Sequence, residues 1–305
     1  MTIKSPFLAF EKSEPTSRKF LTKEEIEILR DEINEFQAEV FPLEEFEDIY
    51  PQPEIENDKK AIQELERKFE KETPGSKKES KFYSSLLEML IAGLSNSWIP
   101  GSFTKSSKFD DYKRSTDLFL EVQDKDQNLL RLALDVTSDE RGIKNKLDEA
   151  FSEFEKGQFH KVKYFKSDID GSKGELLLPR LIVGTARLEI IDLAKLYILE
   201  KNAQGAEAKK PYRRRIANHH FGEQLQQMIL LQITKALEAF RSSGLLERSS
   251  TWEKINYLEG LKTIFEEHQK EKTREESRAE VANQNRIQIA IGEALEKLTF
   301  PKSDK

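Results

Sequence analysis

The stretch at residues 107–137, SKFDDYKRSTDLFLEVQDKDQNLLRLALDVT, contains two apolar runs with the alternation of β-strands, joined by a short polar turn. Each run carries one aspartate, Asp117 in the first and Asp135 in the second. A period of two places Ala133, Asp135 and Thr137 on one face of the second strand. We therefore predict a hairpin that could bring the two aspartates together.

Two carboxylates held close on rigid strands attract a hard divalent cation. The cation prefers oxygen ligands, and its charge relieves the repulsion between the two acids. The alternative is that both aspartates cap turns or face solvent, as acids near strand ends often do. The residues alone leave both interpretations open.

The composition restricts the classes of protein to be considered. The 305 residues include 50 Lys+Arg and 56 Asp+Glu, for a formal charge of −6, so any contact with nucleic acid must be local. Charged residues make up 35% and apolar residues 37%, a balance typical of long amphipathic helices. Cysteine is absent, which excludes disulfides, thiol catalysis and thiolate zinc sites.

Several motifs are missing from the sequence. The first twenty residues lack the apolar segment of a signal peptide, and no run is long enough to span a bilayer, so we expect a cytoplasmic protein without membrane contact. We find no phosphate loop, dinucleotide fingerprint or nucleophile elbow. These absences argue against nucleotide hydrolysis, redox chemistry and serine esterase activity.

Three segments follow from the patterns: a helical N-terminal arm at 1–75, a compact domain at 81–202 and an all-helical region at 209–300. In the arm, a capping box of Thr22 and Glu25 predicts a helix over 23–36, and a second helix is expected over 53–72. The C-terminal region should contain one long helix over 212–240 and could assemble a homo-oligomer.

The compact domain reads as helix, strands, helix, strand, strand, helix. This order predicts an α/β (α+β) fold in which helices flank a mixed sheet. HKVKYF and RLIVG are the two later strands. Between them and the hairpin, an amphipathic helix should bury one apolar stripe, made of Ile143, Leu147, Ala150, Phe151 and Phe154.

The order of a helix, a hairpin with Asp117, a strand with Asp135, a helix with lysines and a further strand is similar to the PD-(D/E)XK nuclease superfamily. This is the restriction-endonuclease-like fold, and the similarity covers about residues 81–165. The strings FDDYKRSTDLFLEV, LALDVTSD and KVKYFKS, with PRLIVG after them, also resemble an uncharacterised bacterial branch of it. The resemblance implies a Mg²⁺-dependent nuclease acting on phosphodiesters of DNA or RNA, or a degenerate descendant.

The resemblance also assigns roles to residues. It implies that Asp117 and Asp135 bind magnesium, and that Glu88, on the preceding helix, holds the metal directly or through water. The lysine that the family carries two residues after its acid is replaced here by Thr137, which has no positive charge. Some members of the superfamily place this lysine on the following helix.

Lys144 and Lys146 are the candidates on that helix, and Lys146 is the preferred one. Each lies beside the apolar stripe, from where a long side chain could reach back over the sheet edge. The rival hypothesis is a non-catalytic interaction or assembly protein that uses the same sheet as a scaffold, and Thr137 favours it.

The segment KKPYRRR is a strongly positive run in an acidic chain, and it could bind the phosphate groups of nucleic acid. The alternative is that these side chains are solvated or paired with acids. The basic residues concerned are Lys209, Lys210, Arg213, Arg214 and Arg215. The nearby His219, His220 and Glu223 have a spacing compatible with metal ligands, although structural histidines are the better interpretation.

Overall fold

Helices surround two small sheets in the computed structural model, which describes residues 20–72, 75–94, 97–139, 142–242, 249–275 and 286–297. The structure is mixed α/β and 65% helical. The helices are α1 (Lys23–Ala38), α2 (Gln52–Glu72), α3 (Gly75–Leu94), α4 (Lys108–Arg114), α5 (Ile143–Glu155), α6 (Arg187–Asn202), α7 (Ala206–Ala217), α8 (His220–Ser242), α9 (Ser249–Glu275) and α10 (Arg286–Lys297), with a 3-10 turn at Leu43–Phe46.

The larger sheet has four strands in the order β1-β2-β3-β6. Its first three strands are antiparallel neighbours, whereas β3 and β6 are parallel. A parallel pair needs a crossover, and α5 forms part of it here. The remaining strands β4 and β5 pair only with each other. The strands are β1 (Ser102–Lys105), β2 (Leu118–Gln123), β3 (Leu129–Thr137), β4 (His160–Lys166), β5 (Lys173–Leu178) and β6 (Arg180–Gly184).

The predicted period-two alternation of the hairpin is confirmed by the packing on its two faces. Leu132, Leu134 and Val136 belong to the main hydrophobic core, which the surrounding helices complete. Phe119 and Ala133 point to the opposite face and pack in a second cluster with the β4–β5 hairpin. Both faces of the sheet are therefore covered.

The helix predictions around the sheet are largely confirmed. The capping box of Thr22 and Glu25 starts α1, and α2 spans nearly the predicted residues. All five residues of the predicted apolar stripe on α5 are buried. Gly157, in the left-handed region at φ 69°, follows the end of this helix.

Two predictions about the later elements are wrong. The segment HKVKYF forms β4, but it is not in the main sheet, because the unpredicted β5 follows it closely and pairs with it. The parallel partner of β3 is β6 instead. The expected long helix at 212–240 is two helices, since the ring of His219 accepts the backbone N–H of Phe221 at 3.2 Å and begins α8 anew.

The strand β6 lies at an edge of the four-stranded sheet, where its backbone groups would lack partners. Gln232 on α8 covers this edge. Its Oε1 accepts a hydrogen bond from the N–H of Ile182 at 2.9 Å, and its Nε2 donates to the carbonyl of the same residue at 2.7 Å. The C-terminal helices are thus joined to the sheet by polar contacts as well as by packing.

One hydrophobic core takes side chains from all three predicted segments. Leu29 of α1, Leu134 of β3 and Ile291 of α10 belong to it. The proposed boundaries at 1–75, 81–202 and 209–300 stay predictions. Within the described ranges, no helix combines the length and apolar character that a bilayer span requires.

Candidate active site

A cavity of about 710 Å³ lies where α1, α3, α4 and α5 meet the ends of β2 and β3. Its wall contains four carboxylates and three lysines from distant parts of the chain. These residues are Glu88, Asp111, Asp117, Asp135, Lys81, Lys108 and Lys146. The hairpin thus brings both of its aspartates to the same cavity, as the sequence led us to expect.

Asp117 lies immediately before β2 and is held against β3. Its backbone N–H donates to the carbonyl of Leu134 at 2.8 Å, and its Oδ2 accepts the N–H of Val136 at 2.6 Å. Because these two partners flank Asp135, the two aspartates are adjacent across the strands. Bonds to the backbone fix the position of the Asp117 carboxylate.

Asp135 is 1% exposed and forms an ion pair with Lys146 of α5 through Oδ1. Its second oxygen, Oδ2, is buried and has no hydrogen-bond partner. Lys144, two residues earlier on the same helix, is exposed and is not part of the cavity wall. Of the two candidate lysines, only Lys146 therefore reaches the acids.

Glu88 comes from α3 and is buried. Lys105, the last residue of β1, donates a hydrogen bond to Oε2 of Glu88 at 2.5 Å. The Glu88 side chain is only 9% exposed and that of Lys105 only 5%. Lys105 was not predicted from the sequence as a site residue. Its strand, SFTK, is too short and too polar to reveal that the lysine points inward.

Asp110 and Asp111 lie in the short helix α4. Ser107 caps this helix by accepting the N–H of Asp110 at 3.0 Å. Asp110 is fully buried and accepts the N–H groups of Lys163 and Tyr164, each at 2.8 Å, so it has a structural role. Asp111 lines the cavity together with Asp117.

The concentration of buried acids alters their titration. Burial, reinforced by neighbouring carboxylates, raises the pKa of Glu88 to about 7. Burial also raises the pKa of Asp111 to about 6 and that of Asp117 well above its usual range. For Asp135 the direction is the same and burial is again the main cause. Each of these shifts shows that ionising the group in this cavity is unfavourable.

The residues fit a hard divalent cation. Of the four carboxylates in the cavity wall, Glu88 and Asp135 are paired with Lys105 and Lys146, whereas Asp111 and Asp117 form no ion pair with a lysine or arginine among the described residues. The unpartnered Oδ2 of Asp135 offers a further oxygen. Within the described ranges, no three His, Asp or Glu side chains already form a metal-binding group. Magnesium commonly binds one or two carboxylates and keeps several waters, so the pair Asp117 and Asp135 suits it.

The basic run of α7 is mostly paired with acids. Lys209 and Arg213 both contact Glu200, at 3.6 and 2.9 Å, and Lys210 contacts Glu207 at 2.5 Å. Two further arginines of the run line a separate cavity of about 400 Å³. They are Arg214 and Arg215.

The two neighbouring histidines are structural in their contacts. His219 lies 3.2 Å from Asp192, and His220 lies 3.0 Å from Glu189. Their rings are stacked, with centroids 4.5 Å apart. They are thus not paired with Glu223, which accepts a hydrogen bond from Gln227 instead.

The structure therefore brings Glu88, Asp117, Asp135 and Lys146 together, and leaves Lys144 outside. Asp111 lines the same cavity and Lys105 is paired with Glu88, although neither was among the predicted site residues. Comparisons of the chain with protein-family models, curated proteins and solved structures found no match.

Proposed function

We propose that this cavity hydrolyses phosphodiester bonds of nucleic acid with the help of magnesium, as in a PD-(D/E)XK-like nuclease. The observation that carries the proposal is the Asp135–Lys146 ion pair beside Asp117 in one cavity. An acid pair for a cation and an adjacent ammonium group are the parts that this chemistry needs.

The order of elements supports the same proposal. The helix α3, the antiparallel strands β1, β2 and β3 and the helix α5 follow one another as the restriction-endonuclease-like resemblance implies. The strand expected directly after α5 belongs to the separate β4–β5 hairpin, and the parallel partner of β3 is the later strand β6. The acids lie at the end of β3 and the start of β2, so the sheet itself positions them.

The acids and the lysine of the cavity have different roles in the proposed hydrolysis. Asp117 and Asp135 would hold magnesium, which when bound supplies positive charge against the phosphate and lowers the pKa of water. Lys146 takes over the role of the family's lysine, whose usual position is occupied here by Thr137. The ammonium group of Lys146 orients the attacking water and stabilises negative charge developing on the phosphate oxygens. Thr137 is buried and hydrogen-bonds within its own turn to Asp139.

Cleavage assays test the proposal. Single- and double-stranded DNA and RNA would be incubated with the protein and Mg²⁺, with Mn²⁺ as a second metal. We expect Asp135→Asn and Lys146→Met to lower the rate by roughly 100-fold or more, since each removes a group that acts in the transition state. Lys144→Met is the matched control, because this exposed lysine on the same helix should leave the rate unchanged.

Absence of metal-dependent cleavage by the wild type on all four substrates would refute the proposal. Equal loss in Lys144→Met and Lys146→Met would refute the role of Lys146.

The alternative is a non-catalytic assembly protein, in which the helical C-terminal region mediates homo-oligomers. Two observations favour it: Thr137 replaces the expected lysine, and both the buried Lys105 and the partly exposed Lys146 already neutralise acids, as in a structural ion-pair network. Light scattering on the full chain would show an oligomer under this alternative, together with no cleavage.

A further inference from the structure

We infer that Asp111 of α4, and not Glu88, joins Asp117 and Asp135 in binding the divalent cation. This inference rests on the proposed function, because it concerns the cation that hydrolysis would use. It replaces the ligand that the resemblance implies with a residue from a helix inserted between β1 and β2.

Glu88 is already committed to another partner. Its contact with Lys105 is 2.5 Å long, and both side chains are almost fully buried. Turning Glu88 toward a cation would leave the ammonium group of Lys105 buried without a counter-charge, which is strongly unfavourable. The Glu88–Lys105 pair therefore acts as a fixed part of the cavity wall.

Asp111 has the opposite situation. It lines the same cavity as Asp117, and in the described part of the chain no lysine or arginine forms an ion pair with either. Lys105 and Lys81 lie near enough to act electrostatically, but they do not contact Asp111 in an ion pair. Neighbouring carboxylates repel each other when both are ionised, and a bound proton or cation relieves this repulsion.

A second, independent observation points to a ligand at the same place. The Oδ2 atom of Asp135 is buried and unpartnered, in a side chain that is 1% exposed and lines the cavity. Asp117 interacts with both Asp111 and Asp135.

The helix α4 is firmly anchored, so Asp111 is held in place. Ser107 caps its start, and buried Asp110 accepts backbone N–H groups from Lys163 and Tyr164 of β4. A ligand supplied by a short helix needs such support to stay within the cavity.

Binding measurements with Mn²⁺ alone test the inference without relying on activity. Isothermal titration calorimetry and metal-induced thermal stabilisation would be recorded for the full chain. We expect Asp111→Asn to weaken Mn²⁺ binding at least 10-fold. This variant removes a repulsion, so the metal-free protein should be at least as stable as the wild type.

The matched control changes the other acid and its partner together. Glu88→Gln with Lys105→Met removes the buried pair as a unit and avoids an unpaired charge. We expect this double variant to bind Mn²⁺ within 3-fold of the wild type.

Each outcome decides between the two claims. The inference is overturned if Asp111→Asn binds Mn²⁺ as tightly as the wild type, or if the double variant loses binding as severely as Asp111→Asn does. If the wild type binds no Mn²⁺, both the inference and the metal-dependent function fail. If Asp111→Asn abolishes binding but the wild type cleaves no nucleic acid, the ligand assignment stands and the nuclease proposal alone is rejected.

Discussion

Replacing Gly222 by alanine should destabilise the protein, because the added methyl group has no room. Gly222 lies in the first turn of α8 beside the indole of Trp98, which is fully buried. A Cβ atom at this position would be 2.4 Å from Cδ1 and 2.5 Å from Cγ of the ring. Carbon atoms normally approach to about 3.5–4.0 Å, so the ring or the helix would have to move by about 1 Å.

The ring is not free to move. Its Nε1–H donates to the carbonyl of Ile216 at 2.7 Å, and its edge packs against Phe221 with ring centroids 5.7 Å apart. Overpacking of this kind costs about 1–3 kcal/mol. The better helix propensity of alanine offsets at most about 1 kcal/mol of this. After this offset, we expect a net loss of up to about 2 kcal/mol from Gly222→Ala.

The control is Gly93→Ala, in the last turn of α3, where a Cβ would meet nothing within 4 Å. This change should leave the stability unchanged or raise it by about 0.5–1 kcal/mol. Both variants would be compared with the wild type by urea unfolding followed by circular dichroism. A Gly222→Ala variant as stable as Gly93→Ala would refute the packing described around Trp98.

Two other predictions concern the cavity. The pKa of Glu88 in the folded protein is about 7, and the pKa values of neighbouring acids are also raised. Ionising these acids therefore destabilises the folded protein above about pH 7. This destabilisation disappears as the pH falls toward the pKa values of the same groups in the unfolded chain. Urea unfolding should therefore show stability rising from pH 7.5 to pH 5.5, with a smaller rise in Asp117→Asn, and a flat or falling profile would contradict the electrostatic account. Lys105→Met should destabilise the protein by about 3 kcal/mol or more at pH 8, whereas Lys105→Met with Glu88→Gln should lose much less, because only the single change leaves a buried charge unpaired. Equal losses in the two variants, measured by the same unfolding assay, would show that the pair is not buried as described.

The sequence was informative where a pattern is local and periodic. Alternation over the hairpin predicted both faces of β3 and the proximity of Asp117 and Asp135, and the apolar stripe predicted α5. The rules behind these predictions depend only on the geometry of a strand or a helix.

The remaining parts of the site depend on contacts that are distant in the chain. The strand SFTK has no apolar alternation, so nothing local shows that Lys105 meets Glu88, 17 residues earlier. The pair Asp110-Asp111 is typical of a turn, but the Ser107 cap and buried Phe109 stabilise a helix instead. Such choices are made by tertiary packing, which overrides weak local preferences.

The contact between Gln232 and β6 has a consequence for how the molecule behaves toward its own copies. The primary amide of Gln232 turns one N–H donor and its carbonyl acceptor toward β6, as a peptide group does, so this side chain imitates a single residue of a fifth strand. It occupies the position at which a foreign β-segment would otherwise add to the sheet. The helix α8 therefore prevents β-strands of other molecules from pairing with β6. A chain shortened before α8 would expose the backbone edge of β6, and we expect it to aggregate.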